Sequence, residues 1–152
     1  QMAVIEYARN EKNIRYANST EISEKCKDPV IDLMTSQKEI INKGGTMRLG
    51  AWDCEIEKNT KSYKCYKKKL ISERHRHRYE FNNNYIDRIF DDKFVIAGSN
   101  PDTKLVEIVE NIDHPWFVGC QFHPEFTSSP RNGHPLFSGF VEAGLKKQAD
   151  NG

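Results

Sequence analysis

A histidine and a glutamate stand two residues apart at the end of an apolar run from Trp116 to Phe122. Side chains at positions i and i+2 of a strand project from the same face, so His123 and Glu125 are predicted to point together. A carboxylate that fixes the tautomer of an imidazole and stabilises the imidazolium gives a general base the orientation it needs to activate a nucleophile. The sequence therefore predicts two members of a catalytic triad, His123 and Glu125, and leaves the nucleophile to be found.

None of the four cysteines lies in the setting that a nucleophile requires. A nucleophile elbow is a strained strand-to-helix turn with small residues, usually glycines, on both sides. Cys120 continues straight into the apolar run, and its odd separation from His123 places it on the opposite strand face, where it is predicted to be a buried core thiol. The other three lie in polar, lysine-rich surroundings without a CxxC pair and are predicted to be unpaired structural or surface thiols. These are Cys26, Cys54 and Cys65.

Longer motifs around these residues resemble those of a known family. They are Gly45-Thr46-Met47-Arg48-Leu49-Gly50, Glu73-Arg74-His75-Arg76-His77-Arg78-Tyr79-Glu80 and Gln121-Phe122-His123-Pro124-Glu125-Phe126, with Ser129-Pro130-Arg131 and Pro135-Leu136-Phe137 downstream. His-Pro-Glu after an apolar strand is similar to the end of a class I, triad-type glutamine amidotransferase domain. The block from Glu73 to Glu80 narrows the resemblance to the glutaminase domain of the CTP synthase family. The resemblance covers nearly the whole chain.

The family resemblance implies a fold and a place for the missing nucleophile. It implies a three-layer α/β fold with a mixed, mostly parallel sheet flanked by helices. In the family the nucleophile lies in a Gly-x-Cys-Leu-Gly-Met-Gln elbow, and Gln1 resembles the last residue of that motif. We therefore expect residues 1–152 to be the C-terminal part of a single glutaminase domain that lacks the first strands of its sheet. Such a piece is expected to expose apolar surface and open sheet edges.

The same resemblance gives substrate-binding roles to three residues. Free glutamine carries an α-carboxylate and an α-ammonium group, so a selective pocket needs a fixed guanidinium and an opposing acid. Arg78 takes the first role, and Glu21 stands where the family has a glutamate that contacts the substrate. Gln1 matches an elbow residue near the substrate. Without the resemblance, Arg78 and Glu21 would be interpreted as ordinary surface residues.

The implied reaction is the hydrolysis of glutamine through a Cys-His-Glu triad. In the family the ammonia reaches a separate synthase domain, where ATP with magnesium activates UTP for amination to CTP and GTP stimulates glutamine hydrolysis. The segment itself is expected to hold no cofactor and no metal. The resemblance also implies a homo-oligomer formed through the synthase domain. A cytoplasmic location is expected as well, since the scattered cysteines favour a reducing compartment. No membrane span is expected, because no apolar run approaches the ~18 residues that one requires.

Other interpretations of these motifs remain open. As a strand, the Glu73–Glu80 block sends Arg74, Arg76 and Arg78 to one face and both of its histidines to the other. A nucleic-acid site would use the arginines on phosphates, but aromatic residues are not interleaved and the net charge is only +1. A zinc site would combine the histidines, His75 and His77, with Cys54 or Cys65, but a second pair at zinc spacing is missing.

Two alternatives to the family assignment are also open. One is a different triad amidotransferase, such as the glutaminase of GMP synthase or a γ-glutamyl hydrolase, against which the motifs at residues 44–50 and 73–80 argue. The other is a non-catalytic amidotransferase-like module that binds a partner, which would be favoured if the residue in the elbow position were not a cysteine.

Hydrophobic periodicity predicts alternating helices and strands. Residues 1–10 form an amphipathic helix, and a helix capped by Asn82 buries Tyr85, Ile86, Ile89 and Phe90. A last helix from Pro135 to Gln148 buries Leu136, Phe137, Phe140, Val141 and Leu145. A polar loop covers residues 57–69. The predicted strands are Met47–Ile56, Leu70–Phe81, Phe94–Ala97, Leu105–Val109 and Trp116–Phe122.

Overall fold

The computed structural model describes residues 1–33 and 47–150, which divide into two compact units. The first unit comprises Gln1–Leu49 and Arg76–Asp91, and the second comprises Gly50–His75 and Asp92–Gly152. The Gly45-Thr46 start of the first motif lies outside the described residues. In chain order the elements are α1 (Met2–Asn10), β1 (Ala17–Ser19), β2 (Asp28–Leu33), β3 (Arg48–Ile56), α2 (Lys61–Tyr66), β4 (Leu70–His77), β5 (Tyr79–Phe81), α3 (Ile86–Ile89), β6 (Phe94–Ser99), β7 (Val106–Asn111), β8 (Val118–Cys120) and α4 (Pro135–Asp150), with 3₁₀ turns at Asn83–Tyr85 and Pro124–Phe126.

The first unit packs α1 against a sheet of order β1-β2-β5. The predicted helix over residues 1–10 is confirmed, because its apolar residues recur on one face and Val4, Ile5, Tyr7 and Ala8 are buried there. β1 runs parallel to β2, and β2 runs antiparallel to β5. Asn82 caps the turn that leads into α3, as predicted, by accepting a hydrogen bond from the Asn84 amide. Of the predicted stripe only Ile89 is buried, because α3 has four residues and one turn offers few inward positions.

The second unit is built on a sheet of order β4-β3-β6-β7-β8. Its core cluster is Cys54, Ile56, Ile71, Ala97, Ile108, Phe122 and Leu136. The predicted strands β3, β6, β7 and β8 are confirmed with shifted ends. The single strand predicted over Leu70–Phe81 is wrong, because the chain bends at Arg78 and divides it into β4 and β5, which belong to different sheets.

The α/β class is confirmed, but the described strand pairs differ from a mostly parallel sheet. Among these pairs β1–β2 is parallel, whereas β2–β5, β3–β6, β6–β7 and β7–β8 are antiparallel. Antiparallel neighbours can be joined by short connections. The connections at residues 100–105 and 112–117 are of this kind, so β6, β7 and β8 form a meander.

The polar loop predicted at residues 57–69 is wrong, because the segment contains α2. The Thr60 side chain caps this helix by accepting a hydrogen bond from the Tyr63 amide. A carboxylate 49 residues away completes the cap, since Glu110 accepts hydrogen bonds from the amides of Lys61 and Ser62, each at 2.7 Å. A buried carboxylate at a helix N-terminus satisfies amides that have no partner within the helix and interacts favourably with the helix dipole.

The last helix forms as predicted but buries a different face. α4 buries Leu136 and Gly139. Four of the residues predicted to be inside are exposed: Phe137 by 43%, Phe140 by 61%, Val141 by 56% and Leu145 by 61%. The packing face is set by a close approach at Gly139, where a Cβ atom would lie 2.5 Å from the Trp116 ring. The exposed stripe agrees with the expectation of open apolar surface.

Candidate functional site

The histidine and the glutamate that were predicted to form a pair are in contact. His123 Nδ1 lies 2.7 Å from Glu125 Oε1. The prediction of their contact is confirmed, but its reason is wrong, because β8 ends at Cys120 and both residues lie beyond it. His123 is the N-cap of the 3₁₀ turn Pro124–Phe126, which carries Glu125. A turn, and not the alternation of a strand, therefore closes the contact.

The backbone of β4 and a buried aromatic side chain hold His123 in place. Its amide donates to the Arg74 carbonyl at 2.9 Å. The preceding residue, Phe122, is 3% exposed and makes an edge-on contact with the His75 ring at 6.0 Å between centroids. The imidazole itself stacks on Phe126, with centroids 5.0 Å apart and planes inclined by 17°. The ring is therefore fixed by its amide, its neighbour and a stacking partner.

The electrostatics of the pair suit a general base. The hydrogen bond from His123 lowers the pKa of the Glu125 carboxyl, which stays ionised near neutral pH. Because the carboxylate engages Nδ1, the proton-accepting nitrogen is Nε2, and no hydrogen bond within residues 1–33 and 47–150 occupies it. The side chains are 36% and 55% exposed. The pair can therefore take a proton from a nucleophile that reaches it from solvent or from another segment.

The three predicted substrate-binding residues line one cleft in the first unit. The cleft has a volume of about 400 Å³ and is lined by Gln1, Glu21, Met47, Arg76, His77, Arg78 and Tyr79. Gln1 Nε2 donates to the Tyr79 carbonyl at 2.9 Å, although the two residues are 78 positions apart. Folding thus brings Gln1, Glu21 and Arg78 together, as the predicted roles require. Their roles in binding remain a prediction.

A buried carboxylate fixes the bend that presents Arg78. Glu80 is 1% exposed, and its Oε1 lies 3.5 Å from Arg48 Nη1 and 3.4 Å from His77 Nδ1. The His77 ring also lies 3.1 Å from the Tyr79 carbonyl. Both sides of the bend are therefore anchored, while Arg78 itself is exposed at the cleft. The cleft offers guanidinium groups and one carboxylate, which suits a ligand that carries both charges.

Arg76 is a lining residue that the sequence prediction did not select. The single strand predicted over Leu70–Phe81 did place it on the same face as Arg78, so the signal was present in the sequence. The exposed positions of that strand include Arg74 and Arg76, and the buried ones include Glu73 and His75, as the period of two predicts. The guanidinium of Arg76 is the second one in the cleft and strengthens its positive side.

The environments of the cysteines favour the protonated thiol over the reactive thiolate. Burial, together with the charge of Glu73, raises the pKa of Cys120 to about 12. Burial also raises the pKa of Cys26 and of Cys65. Cys54 is fully buried in the core, which agrees with a structural thiol. Since a nucleophile needs a thiolate, these pKa values agree with the search for the nucleophile elsewhere.

The zinc interpretation of the histidines finds no geometric basis in the part of the chain that the structure describes. His75 Nε2 lies 3.7 Å from Glu107 Oε2, with both side chains fully buried. His77 contacts Glu80 and the Tyr79 carbonyl. Neither contact involves a cysteine, and residues 1–33 and 47–150 contain no group of three or more side chains able to hold a metal ion. Across the same residues, no helix combines the length and apolar character of a membrane span.

Comparison with known proteins identifies relatives over nearly the whole sequence. Residues 1–143 match the family described as glutamine amidotransferase class-I. The CTP synthase of Caldanaerobacter subterraneus is 54% identical over 151 residues, which are 99% of this chain and 28% of that protein. The CTP synthase of Clostridium acetobutylicum is 55% identical over 142 residues, which are 93% of this chain and 26% of that protein. The chain thus spans roughly a quarter of the length of these relatives.

A solved structure has the same fold. It is the glutaminase domain of Trypanosoma brucei CTPS with bound acivicin, which superposes with a TM-score of 0.88 and 37% sequence identity. The superposition covers 96% of this chain and 57% of that one.

Proposed function

Because the chain belongs to the glutamine amidotransferase class-I family, we propose that it provides the histidine and the glutamate of a glutaminase site in a CTP synthase. The observation that carries the proposal is the 2.7 Å contact between His123 Nδ1 and Glu125 Oε1. It lies in a chain that is 54% identical, over 99% of its length, to a CTP synthase. A contact of this kind is the orienting half of a triad.

In the proposed reaction a cysteine outside this sequence attacks the side-chain carboxamide of glutamine. His123 Nε2 accepts the thiol proton as the sulfur–carbon bond forms, and Glu125 stabilises the resulting imidazolium. Collapse of the tetrahedral adduct breaks the carbon–nitrogen bond, and His123 returns the proton to the departing ammonia. Water, deprotonated by the same imidazole, then hydrolyses the γ-glutamyl thioester to glutamate and frees the thiol.

The cleft of the first unit is the proposed place for the polar end of glutamine. Arg78 would pair with the α-carboxylate, with Arg76 adding positive charge, and Glu21 would pair with the α-ammonium group. Gln1, held by its hydrogen bond to the Tyr79 carbonyl, would contribute a neutral amide next to them. This arrangement would select a free amino acid over a peptide-bound glutamine, because both termini must be charged.

The wider activity is proposed from the relatives. Ammonia would serve the amination of UTP to CTP in a synthase domain that uses ATP with magnesium and is activated by GTP, in a cytoplasmic homo-oligomeric enzyme. Since none of the four cysteines has the setting of a nucleophile, residues 1–152 alone are expected to be inactive.

The experiment that tests the proposal uses a chimera in which this chain replaces the matching segment of the Caldanaerobacter CTP synthase. His123→Ala is expected to abolish CTP formation from glutamine and to leave CTP formation from ammonium salts unchanged, because free ammonia bypasses hydrolysis. Glu125→Gln should reduce the glutamine-dependent rate less severely, since the base is retained. His114→Ala, at an exposed histidine of the same unit, is the matched control and should leave both rates unchanged.

Two results would contradict the proposal. One is a chimera that forms CTP from ammonium salts but never from glutamine. The other is a His123→Ala variant in which both rates fall together, since that would remove the separation between hydrolysis and amination.

A further inference from the structure

A polar cluster with a buried centre lies beside the turn that carries the histidine–glutamate pair. It consists of Tyr66, Glu73, Thr127 and His134, and we refer to it as the Glu73 cluster. Glu73 is 5% exposed and His134 is 2% exposed. Glu73 Oε1 lies 2.7 Å from the Tyr66 hydroxyl and 3.0 Å from His134 Nε2, and Glu73 Oε2 lies 3.3 Å from the Thr127 hydroxyl. One carboxylate therefore joins Tyr66, seven residues before it, to two side chains that follow it by 54 and 61 residues.

The protonation states within the cluster follow from its hydrogen bonds. The Leu136 amide donates to His134 Nδ1 at 3.2 Å, so this nitrogen has no proton and Nε2–H donates to Glu73. Burial acts to raise the pKa of the Glu73 carboxyl, but the hydrogen bonds from His134 and Tyr66 outweigh burial and the pKa is lowered. Glu73 is therefore a charged acceptor, and its donors are fixed around it.

The cluster is linked to the turn at both ends of the turn. At one end, the Thr127 hydroxyl donates a hydrogen bond shared by Glu73 Oε2 at 3.3 Å and the Pro124 carbonyl at 3.4 Å. At the other end the carbonyl of Arg74, the residue after Glu73, accepts the His123 amide at 2.9 Å. Two adjacent residues of β4 thus hold the first and last residues of the segment 123–127.

We infer that Glu73 is a positioning residue for the His123–Glu125 pair and acts through Thr127. The inference rests on the proposed function, because only a glutaminase requires the pair to be aligned. The pair is partly exposed and lies on a short turn, so its position depends on how that turn is held. The Glu73 carboxylate is charged, buried and held by several hydrogen-bond donors. It is therefore a rigid group to which the turn can be anchored. Glu73 contacts neither substrate nor reacting atoms and is therefore not a catalytic residue.

The experiment compares two substitutions at Thr127 in the chimera defined above. Thr127 is exposed to solvent, so its replacement disturbs packing little. Thr127→Val keeps the shape and removes the hydroxyl, whereas Thr127→Ser keeps the hydroxyl. We expect Thr127→Val to lower kcat for glutamine hydrolysis about threefold to tenfold, the range for one lost hydrogen bond, with KM for glutamine unchanged. Thr127→Ser should retain the kcat of the parent chimera, and the ammonia-dependent rate should be unchanged in both variants.

A second measurement does not depend on activity. The Phe126 amide donates to the His123 carbonyl at 3.1 Å and so reports how well the turn is ordered. Its hydrogen exchange should accelerate about threefold to tenfold in Thr127→Val and should match the parent in Thr127→Ser. Glu73→Gln, which removes the charge and places an amide against the donors, should accelerate the same exchange and lower kcat further.

The outcomes separate this inference from the proposed function. Equal kcat and equal exchange in Thr127→Val, Thr127→Ser and the parent would overturn the inference. Equal loss of glutamine-dependent and ammonia-dependent rates in Glu73→Gln would also overturn it, because the residue would then support the fold in general. If the parent chimera lacks glutamine hydrolysis, the proposed function fails, and the Phe126 exchange alone decides whether Glu73 orders the turn.

Discussion

Replacing Arg78 with alanine in the chimera is expected to raise the KM for glutamine about tenfold with little change in kcat. Arg78 stands at the bend between β4 and β5 and lines the cleft together with Gln1 and Glu21. A hydrogen bond to a charged group is worth about 1.5–3 kcal/mol. Because Arg78 is exposed, water screens the interaction and the lower end of that range applies. About 1.4 kcal/mol corresponds to a factor of ten.

The assay is the steady-state rate of CTP formation at varied glutamine concentration. Arg78→Lys keeps the charge but loses the planar fork, so its KM should fall between those of the parent and Arg78→Ala. Arg74→Ala is the matched control, since Arg74 is exposed on β4 and is not among the residues that line the cleft. Arg76 does line it and is therefore unsuitable as a control. Alkylation of the chimera's nucleophile by a small neutral reagent should be unchanged, because that reaction does not use the carboxylate contact.

One result would refute the reasoning about Arg78, and another would make the change in KM uninterpretable. An equal rise in KM for Arg74→Ala and Arg78→Ala would indicate a diffuse positive field in place of a dedicated receptor. Loss of alkylation in Arg78→Ala alone would show that the substitution disturbs the fold, and the KM change would then carry no information on binding.

Three further predictions concern stability and activity. Gly139→Ala should lower the Tm of the chimera in a thermal melt, because a Cβ atom there would lie 2.5 Å from the Trp116 ring. Gly144→Ala is the control: a Cβ atom there would have nothing within 4 Å, so the substitution should be neutral or stabilising by up to about 1 kcal/mol. Equal effects of the two substitutions would contradict the packing at Gly139. The pKa of Glu73 is lowered from 4.5 in the fold, so its ionisation contributes stability above that pH and the contribution is lost as pH falls through the lower pKa. The Tm difference between the parent and Glu73→Gln should therefore be constant above about pH 5 and shrink below about pH 4, and a difference independent of pH would refute this. The isolated chain should release no glutamate from glutamine, and steady release that survives replacement of all four cysteines by serine would show the reverse.

Short-range patterns predicted much of the local structure. α1 and β4 were predictable because the period of a helix or a strand decides which side chains share a face. The inward and outward positions of β4 follow that rule through Arg76. The rule failed at Arg78, where the chain bends, and in α4, whose exposed stripe is as apolar as its buried face. Periodicity identifies a face but does not say which face meets a partner, and the close approach at Gly139 made that choice.

The sequence by itself determined the family, through motifs long enough to be specific, and it predicted which residues would carry the chemistry. The tertiary structure decided how those residues are held. Glu110 turns a lysine-rich segment into a capped helix from 49 residues away, and Glu73 reaches His134 across 61 residues. A carboxylate in the sequence is ordinarily interpreted as solvated, because burial of a charge is unfavourable without partners. Its partners are assembled only when the chain folds, so neither buried anchor could be derived from its neighbours in sequence.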